Sequence, residues 1–249
     1  MKHKLLNISI DRITTEQLLN DLTEGVLLTP NLDHMVNLQH NRELYDAYCT
    51  ADWVVCDSRI LYFLSKTTKK PLPETIPGSS FFREFYLYHK DDPDCKILLL
   101  GAKPGVADQA MENINKTCGR KIVVGAHSPS FGFEKNEEEN NAIIEIIKQS
   151  NANVVLVGVG SPKQELWIMR HKNRLPQVKI WLPLGATIDF ESGQLKRAPR
   201  IVQRIGMEWL YRVIKEPKRL FKRYFVDDMK FFIYYLKFRL NLYKNPFQS

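Results

Sequence analysis

The chain lacks any apolar run long enough to cross a bilayer, although 44% of its 249 residues are hydrophobic. A spanning helix needs roughly 18 or more predominantly apolar residues in a row. The longest candidates, Ile97 to Ala102 and Phe231 to Leu236, are strand-sized or are followed by Lys237 and Arg239. The segment from Met1 to Ile13 also lacks the apolar centre of a signal peptide. We therefore expect a cytoplasmic protein that does not span the membrane.

Patterns that would hold a metal ion or a disulfide framework are also missing. The six histidines are scattered, with no HExxH spacing. The four cysteines lie at irregular spacings without a CxxC pair, which is typical of reduced structural thiols; they are Cys49, Cys56, Cys95 and Cys118. The sequence therefore predicts a reaction that needs neither a protein-bound metal nor another cofactor.

Positive charge is concentrated at the end of the chain. Residues 196–249 contain 14 lysines and arginines and 4 acidic residues, a net charge of +10, whereas the whole chain carries +8 and residues 1–195 therefore carry −2. Such a segment can bind nucleic acid, bind anionic lipid or form a solvated surface. It has no recognisable nucleic-acid motif, and its aromatic residues are clustered in the apolar run Phe231 to Leu236, which favours lipid.

Apolar, β-branched segments alternate with helical patterns between residues 25 and 190. The predicted strands are Gly25–Leu28, Trp53–Cys56, Lys96–Leu100, Lys121–Gly125, Asn153–Val157 and Val178–Leu184. The predicted helices lie near Asp33–Cys49, Phe81–His89, Gly105–Thr117, Asn140–Ser150 and Pro162–Arg174. This alternation predicts a Rossmann-like α/β domain over residues 1–195, with a mainly parallel sheet and helices on both faces. The strand pattern stops there, so residues 196–249 are predicted to form a basic, aromatic helical appendage.

A strand-to-helix loop runs from Gly101 to Gly105 and reads Gly-Ala-Lys-Pro-Gly. Ligands of parallel sheets bind at the carboxyl ends of the strands, where this loop is expected to lie. Its backbone amides can bind an anion, but the same sequence also suits a tight turn with no ligand. The motif is neither a Walker A loop nor a dinucleotide fingerprint. Both interpretations remain open for this loop.

The loop at residues 158–165 reads Gly-Val-Gly-Ser-Pro-Lys-Gln-Glu and carries a stronger signal. Ser161 and Gln164 are predicted to form a capping box at the start of a helix. Gly160 permits close approach of a ligand, and Lys163 adds a cation at the positive end of the helix, so we predict contact with a diphosphate here. A dinucleotide fingerprint would have glycine at position 163, which disfavours a dehydrogenase.

Polar residues follow the first two predicted strands of the sheet. Asp57 comes directly after Trp53–Cys56, where a carboxylate can serve as a general base or simply as a turn or helix-cap residue. Thr29 and Asn31 follow Gly25–Leu28 and can contact a ligand or cap the next helix. These alternatives are not separated by position alone.

Taken in order, these loops resemble the WecG/TagA/CpsF family, glycosyltransferase family 26. The most specific strings are Gly-Ser-Pro-Lys-Gln-Glu at residues 160–165 and Glu-Trp-Leu-Tyr-Arg at residues 208–212. The resemblance covers nearly the whole chain. The resembling segments are Thr29-Pro30-Asn31 with His34, Ala51-Asp52 leading to Asp57, Pro71-Leu72-Pro73 with Gly78-Ser79, residues 100–107, residues 157–165, residues 196–200, and residues 206–212 followed by Glu216-Pro217.

The resemblance implies an inverting, metal-independent transfer from a UDP-sugar, often UDP-N-acetylmannosamine or its uronic acid, to undecaprenyl-diphosphate-linked N-acetylglucosamine. The pathway would be teichoic acid, capsule or exopolysaccharide synthesis. Asp57 would be the catalytic base and Thr29 a neighbouring catalytic residue, with Gln164 and Glu165 in the substrate pocket. With the loops discussed above, the expected substrate-binding residues are Asn31, Gly78, Ser79, Gly101, Gly160, Lys163, Gln164, Glu165, Arg212, Arg219 and Lys222.

The last three of these residues belong to the basic tail. Arg212, Arg219 and Lys222 are seven and three positions apart, so on a continuous helix they share one face and can reach together toward a diphosphate. A solvated helix face is the alternative for such a charge run. We predict that the tail docks on the anionic inner face of the cell membrane and completes the active site.

Two segments depart from the pattern that the family usually shows. The family has Asp-Gly where this chain has Asp57-Ser58, and Arg-Val-Thr-Gly-Ser-Asp where residues 75–80 read Thr-Ile-Pro-Gly-Ser-Ser. The missing arginine and aspartate leave the donor and acceptor sugars open, because charged groups make strong hydrogen bonds in a sugar pocket. Two alternative functions remain: a noncatalytic UDP-sugar-binding protein and a nucleic-acid-binding protein.

Overall fold

The structure is a computed structural model that describes residues 2–195, 211, 213, 222 and 226–248. It begins with an antiparallel hairpin of β1 (Lys2–Leu5) and β2 (Ile8–Asp11). Side chains alternate between buried and exposed along both strands, as expected for a hairpin with one face on the core. The Asp11 carboxylate accepts a hydrogen bond from the Val54 backbone N–H at 3.0 Å, which joins the hairpin to the main sheet.

The main sheet contains six parallel strands in the order β4-β3-β8-β7-β5-β6. The strands are β3 (Gly25–Leu28), β4 (Trp53–Val54), β5 (Ile97–Gly101), β6 (Val123–His127), β7 (Val154–Gly158) and β8 (Ile180–Pro183). All six predicted strands are confirmed; β3 has the predicted ends, and the other five have shifted ends. The Rossmann-like α/β fold is therefore confirmed as well.

Helices cover both faces of this sheet. They are α1 (Thr15–Asp21), α2 (Leu32–Asn37), α3 (Arg42–Thr50), α4 (Arg59–Ser65), α5 (Gly78–Tyr88), α6 (Val106–Cys118), α7 (Glu137–Ser150), α8 (Lys163–His171), α9 (Thr187–Glu191) and α10 (Lys230–Arg239). Leu98 and Leu100 of β5 pack in the core with α2, α3, α7 and α8, while Ile97 and Leu99 pack in the second core with α1, α5, α6 and α9. Because both faces are covered, the strands read as continuous apolar runs.

One helical prediction needs correction. The stretch Asp33–Cys49 forms two helices, α2 and α3, rather than one. Asn41 interrupts it because its side-chain oxygen accepts a hydrogen bond from the Leu44 backbone N–H at 2.9 Å and so caps a new helix. The break divides the stretch into two helices that pack in the same core on one face of the sheet.

The described end of the chain packs on the α/β domain. Phe231 of α10 is fully buried in the core shared with α2 and α3. The Tyr234 hydroxyl lies 3.0 Å from His40 Nε2, and the Tyr243 hydroxyl donates to Gln39 Oε1 at 2.6 Å. Part of the apolar run that was predicted to face lipid therefore contacts the protein instead, through Phe231 and Tyr234. The division of the chain near residue 195 stays a prediction.

Candidate active site

The strand connections reverse direction between β5 and β7. The chain leaves β5 through α6 toward β6 on one side, and leaves β7 through α8 toward β8 on the other. Ligands of open α/β sheets bind at the carboxyl ends of the strands next to such a reversal. Gly101 and Gly158 are paired at this point, one at the end of each strand. The reversal therefore places the two predicted glycine loops side by side.

The strand ends at this edge pack backbone against backbone. A Cβ atom added to Gly101 would lie 2.5 Å from the Gly158 carbonyl oxygen, and one added to Gly158 would lie 2.6 Å from the Gly185 carbonyl oxygen. Gly101 also has a φ of +139°. Only glycine fits at these contacts. The ends of β5, β7 and β8 consequently form one closely packed floor.

The predicted capping box in the loop at residues 158–165 is wrong. The N-cap of α8 is Pro162, and no side chain caps this helix. The Ser161 hydroxyl is buried and makes no hydrogen bond within the described residues. Gln164 Oε1 accepts hydrogen bonds from the backbone N–H groups of Gly160 and Gly185, both at 3.1 Å. Gln164 therefore joins the loops after β7 and β8 in place of the predicted cap.

Lys163 already has partners within the protein. Its Nζ lies 2.9 Å from Glu134 Oε1 and 4.7 Å from the centre of the exposed Phe131 ring. An ammonium group carries three donors, so the ion pair with Glu134 leaves capacity for a further contact. The Lys163 ammonium group is nevertheless paired with Glu134 in the loop after β6, so it is not an isolated cation at the start of α8. Contact between Lys163 and a diphosphate stays a prediction.

The loops after β3 and β4 are tied together beside this floor. The Asp57 backbone N–H donates to the Pro30 carbonyl oxygen at 3.3 Å, and the Asp57 side chain is half-buried. Ser58, rather than Asp57, is the N-cap of α4 and accepts from the Leu61 N–H at 3.4 Å. Ser58 rather than Asp57 is therefore the helix cap, and the general-base role of Asp57 stays a prediction.

The other residues predicted at this edge lie next to Asp57. Asn31 caps α2 by accepting from the His34 backbone N–H at 3.1 Å, which is the structural alternative left open by the sequence. Thr29 is buried, and a Cβ added to Gly78 would lie 3.5 Å from its hydroxyl oxygen. Gly78 and Ser79 form the first turn of α5, whose N-terminus has no side-chain cap. A helix N-terminus therefore begins beside the Thr29 hydroxyl.

A buried polar cluster behind these loops was missed by sequence reasoning. The Tyr48 hydroxyl of α3 lies 2.8 Å from His34 Nδ1 of α2, and both side chains are buried. Burial raises the pKa of Tyr48 well above its usual value, and the nearby carboxylates of Glu165, Asp57 and Asp33 raise that pKa further. Tyr48 had no motif to mark it, since its spacing within α3 is that of an ordinary core residue. Only the fold brings it close to the loops of the candidate site.

Glu165 is the most deeply buried acid of the site. Its side chain is 1% exposed, and its Oε1 accepts a hydrogen bond from Gln164 Nε2 at 2.9 Å. Burial raises the pKa of Glu165 to about 7, although the hydrogen bond from Gln164 acts in the opposite direction. Near neutral pH this carboxyl therefore exists in both protonation states. It can take up or release a proton inside the site.

Stability is expected to respond to this burial. A carboxyl with a raised folded-state pKa stabilises the fold in its protonated form, so stability falls as pH rises from about 4.5 to about 7, by roughly 3 kcal/mol. Glu165→Gln keeps the acceptor oxygen and removes this dependence, so urea unfolding should show the variant to be more stable than the wild type at pH 8 and similar at pH 4.5. The exposed Glu112→Gln is the control and should follow the wild type. Equal pH dependence of Glu165→Gln and the wild type would contradict the expectation.

Contact between the three tail cations and the substrate stays a prediction. Arg212 and Arg219 lie outside the residues that the structure describes, and Lys222 is an exposed helical residue. Within the described ranges, no group of three or more His, Cys, Asp or Glu side chains is arranged to hold a metal ion. The described part of the chain also has no helix with the length and apolar content of a membrane span.

The fold and the residues at its carboxyl edge are typical of one class of enzyme. A parallel α/β sheet with a half-buried carboxylate, a buried acid and a helix N-terminus at its carboxyl edge is typical of enzymes that act on anionic ligands. The glycosyl transferase WecG/TagA/CpsF family model matches residues 3–245, and the chain belongs to that family. It is therefore a hexosyltransferase, and family membership favours this function over nucleic-acid binding.

Proposed function

We propose that the protein transfers N-acetylmannosamine, or a related hexose derivative, from a UDP-sugar to a lipid-linked acceptor such as undecaprenyl-diphosphate-linked N-acetylglucosamine. The transfer inverts the anomeric configuration, needs no metal and belongs to teichoic acid, capsule or exopolysaccharide synthesis. The observation that carries this proposal is the convergence of Asp57, Thr29 and the N-terminus of α5 at the carboxyl edge of the sheet. These groups provide a base and donors for an anionic leaving group in one place.

The reaction follows from the chemistry of these groups. The Asp57 carboxylate accepts the proton of the acceptor hydroxyl as that oxygen attacks the anomeric carbon of the donor. The bond from this carbon to the diphosphate oxygen breaks, and its electron pair leaves with UDP. The amides in the first turn of α5 and the Thr29 hydroxyl stabilise the charge that develops on the diphosphate. No metal ion takes part in this sequence of steps.

The segment that departs from the family pattern adjoins the proposed base. The Ile76 backbone N–H donates to the Cys56 carbonyl oxygen at 2.7 Å, so residues 75–80 run directly beside Asp57. The neutral Thr75 and Ser80 stand where the family usually has charged residues. This position supports a difference in the donor or acceptor sugar from that of relatives with the usual motif.

The proposed function is tested by following UDP release. The protein is incubated with a short-chain polyprenyl-diphosphate N-acetylglucosamine and a panel of UDP-sugars, with and without EDTA. We expect acceptor-dependent release with one or a few donors, and no loss of rate in EDTA. Restoration of a lost rate by Mn²⁺ or Mg²⁺ after chelation would overturn the metal-independent reaction. Tight UDP-sugar binding without transfer to any acceptor would favour the noncatalytic alternative.

We also propose that the protein is cytoplasmic and peripheral on the inner face of the cell membrane. The outward side of α10 supports this location. Four exposed apolar residues in this helix and at its caps recur at spacings of four, three and four and therefore share one face; they are Met229, Ile233, Leu236 and Leu240. Lys230, Lys237 and Arg239 lie in the same helix. Basic helices with such an apolar face bind in the interface of anionic bilayers.

Substitutions on this face are expected to weaken membrane binding. Ile233→Glu with Leu236→Glu should reduce the affinity for vesicles containing phosphatidylglycerol by about 10-fold or more, because two apolar side chains no longer insert. Co-sedimentation measures the effect. Point substitutions are preferable to removal of residues 196–249, since Phe231 fills the core. Tyr88→Glu changes a similarly exposed aromatic residue on α5 and should bind vesicles as the wild type does. Equal sedimentation of the double variant and the wild type would contradict this location.

A further inference from the structure

We propose that Gln164 is a positioning residue that fastens the loops after β7 and β8 together and thereby shapes the floor on which the donor nucleotide lies. This inference rests on the proposed function, because it assigns the floor to the nucleotide of the donor. The resemblance placed Gln164 in the substrate pocket. Its hydrogen bonds indicate that it acts on the substrate through the backbone of two loops rather than by direct contact.

The side-chain amide of Gln164 is fully occupied within the protein. Its Oε1 accepts from the N–H groups of Gly160 and Gly185, and its Nε2 donates to the Pro183 carbonyl oxygen and to Glu165 Oε1, both at 2.9 Å. A glutamine amide has two donor hydrogens and two acceptor lone pairs, and all four are used. The side chain is 2% exposed. It therefore has neither the surface nor the bonding capacity to hold a substrate.

The orientation of this amide follows from its partners. Two backbone N–H groups require an acceptor at one end, and the Pro183 carbonyl requires a donor at the other. Exchanging the amide oxygen and nitrogen would leave at least three of these four contacts without a matching partner, and all four when Glu165 is ionised. The arrangement thus holds both loops in a single register.

The two glycines held by Gln164 lie on the open side of the floor. A Cβ added to Gly160 or Gly185 would meet no atom within 4 Å, whereas one added to Gly158 would collide with the Gly185 carbonyl oxygen. Both Gly160 and Gly185 have positive φ angles, +88° and +51°. The loops therefore turn in a backbone conformation that favours glycine, directly above the packed strand ends. The hydrogen bonds that Gln164 accepts from both glycines hold the loops in this conformation.

The matched comparison is between Gln164→Ala and Gln39→Ala. Gln39 is also buried, and its amide makes three side-chain hydrogen bonds, to Asn7, Met35 and Tyr243, but it lies under α10 instead of the carboxyl edge. Both variants should unfold at a lower temperature than the wild type. Only Gln164→Ala should raise the Kd for UDP in titration calorimetry, by about 10-fold or more, and should speed amide hydrogen exchange in residues 158–162 and 183–187 together.

A second variant tests the positioning role even if Gln164→Ala does not fold. Gln164→Glu keeps the acceptor oxygen for both N–H groups but loses the two donors, and it places a second carboxyl beside Glu165, with Asp33 and the Tyr48 hydroxyl nearby. A protonated carboxyl can donate to Pro183, whereas an ionised one cannot. The affinity of the Gln164→Glu variant for UDP, relative to that of the wild type, should therefore fall as pH rises from 6 to 8.

The outcomes separate this inference from the proposed function. If the wild type binds UDP and both Gln164 variants bind it equally well, the positioning role is overturned and the donor assignment stands. If the wild type prefers GDP or CDP to UDP, the donor assignment fails, and the Gln164 variants are judged with the nucleotide that binds. If Gln39→Ala weakens UDP binding as much as Gln164→Ala, the effect is one of general stability and the inference fails.

Discussion

Replacing Asp57 by asparagine is expected to slow sugar transfer by about 100-fold or more while leaving UDP binding nearly unchanged. The amide fills the same space but cannot accept the proton of the attacking hydroxyl. The measurement is kcat for acceptor-dependent UDP release, together with the Kd for UDP from calorimetry. A loss of this size is typical of removing a general base rather than a turn residue.

The adjacent residue provides the control for this substitution. Ser58 caps α4 through its hydroxyl, so Ser58→Ala should cost about 1 kcal/mol of stability and leave turnover within a few-fold of the wild type. The pair separates chemistry from the local structure of the loop after β4. Near wild-type turnover of Asp57→Asn would mean that Asp57 is only a turn residue and that the base lies elsewhere.

Gly101→Ala is expected to lower the free energy of unfolding by about 3 kcal/mol or more. Its new Cβ would lie 2.5 Å from the Gly158 carbonyl oxygen, in a backbone conformation with a φ of +139° that alanine rarely adopts. Urea denaturation measures the change. Gly119→Ala is the control, because its φ is +67° but nothing lies within 4 Å of the added atom, so it should cost about 1 kcal/mol. Equal losses would show that the packed strand ends yield to an extra carbon.

The strands were predictable because parallel strands under helices are buried on both faces and leave uninterrupted apolar segments in the sequence. Local chemistry that competes with periodicity was harder to judge. Asn41 stands within an apolar helical pattern, and nothing in that pattern indicates that its side chain caps a second helix. Boundaries therefore failed where one polar side chain outweighed the periodic signal.

The loops of the site were predictable for the same reason as the strands, since each follows a strand whose carboxyl end is known from its direction. The partners within the site were not. Gln164 fits a local capping box by spacing, yet the second N–H that it accepts belongs to Gly185, 21 residues away. Tyr48 meets His34 only because α2 and α3 fold back on each other. These contacts depend on tertiary structure, which spacing along the chain does not report.

The burial of Phe231 fixes how the enzyme would be oriented at the proposed membrane surface. Phe231 and Ile233 belong to the same helix, with Phe231 in the core and Ile233 exposed on the other side. A catalytic domain on a flexible tether samples every tilt relative to the bilayer. Here the residues proposed to contact lipid and the core residue Phe231 lie on opposite sides of one helix, so the active site would hold a constant angle to the membrane. The acceptor sugar would then reach Asp57 from one height above the headgroups, and acceptors with shorter or longer polar portions would be discriminated by geometry alone.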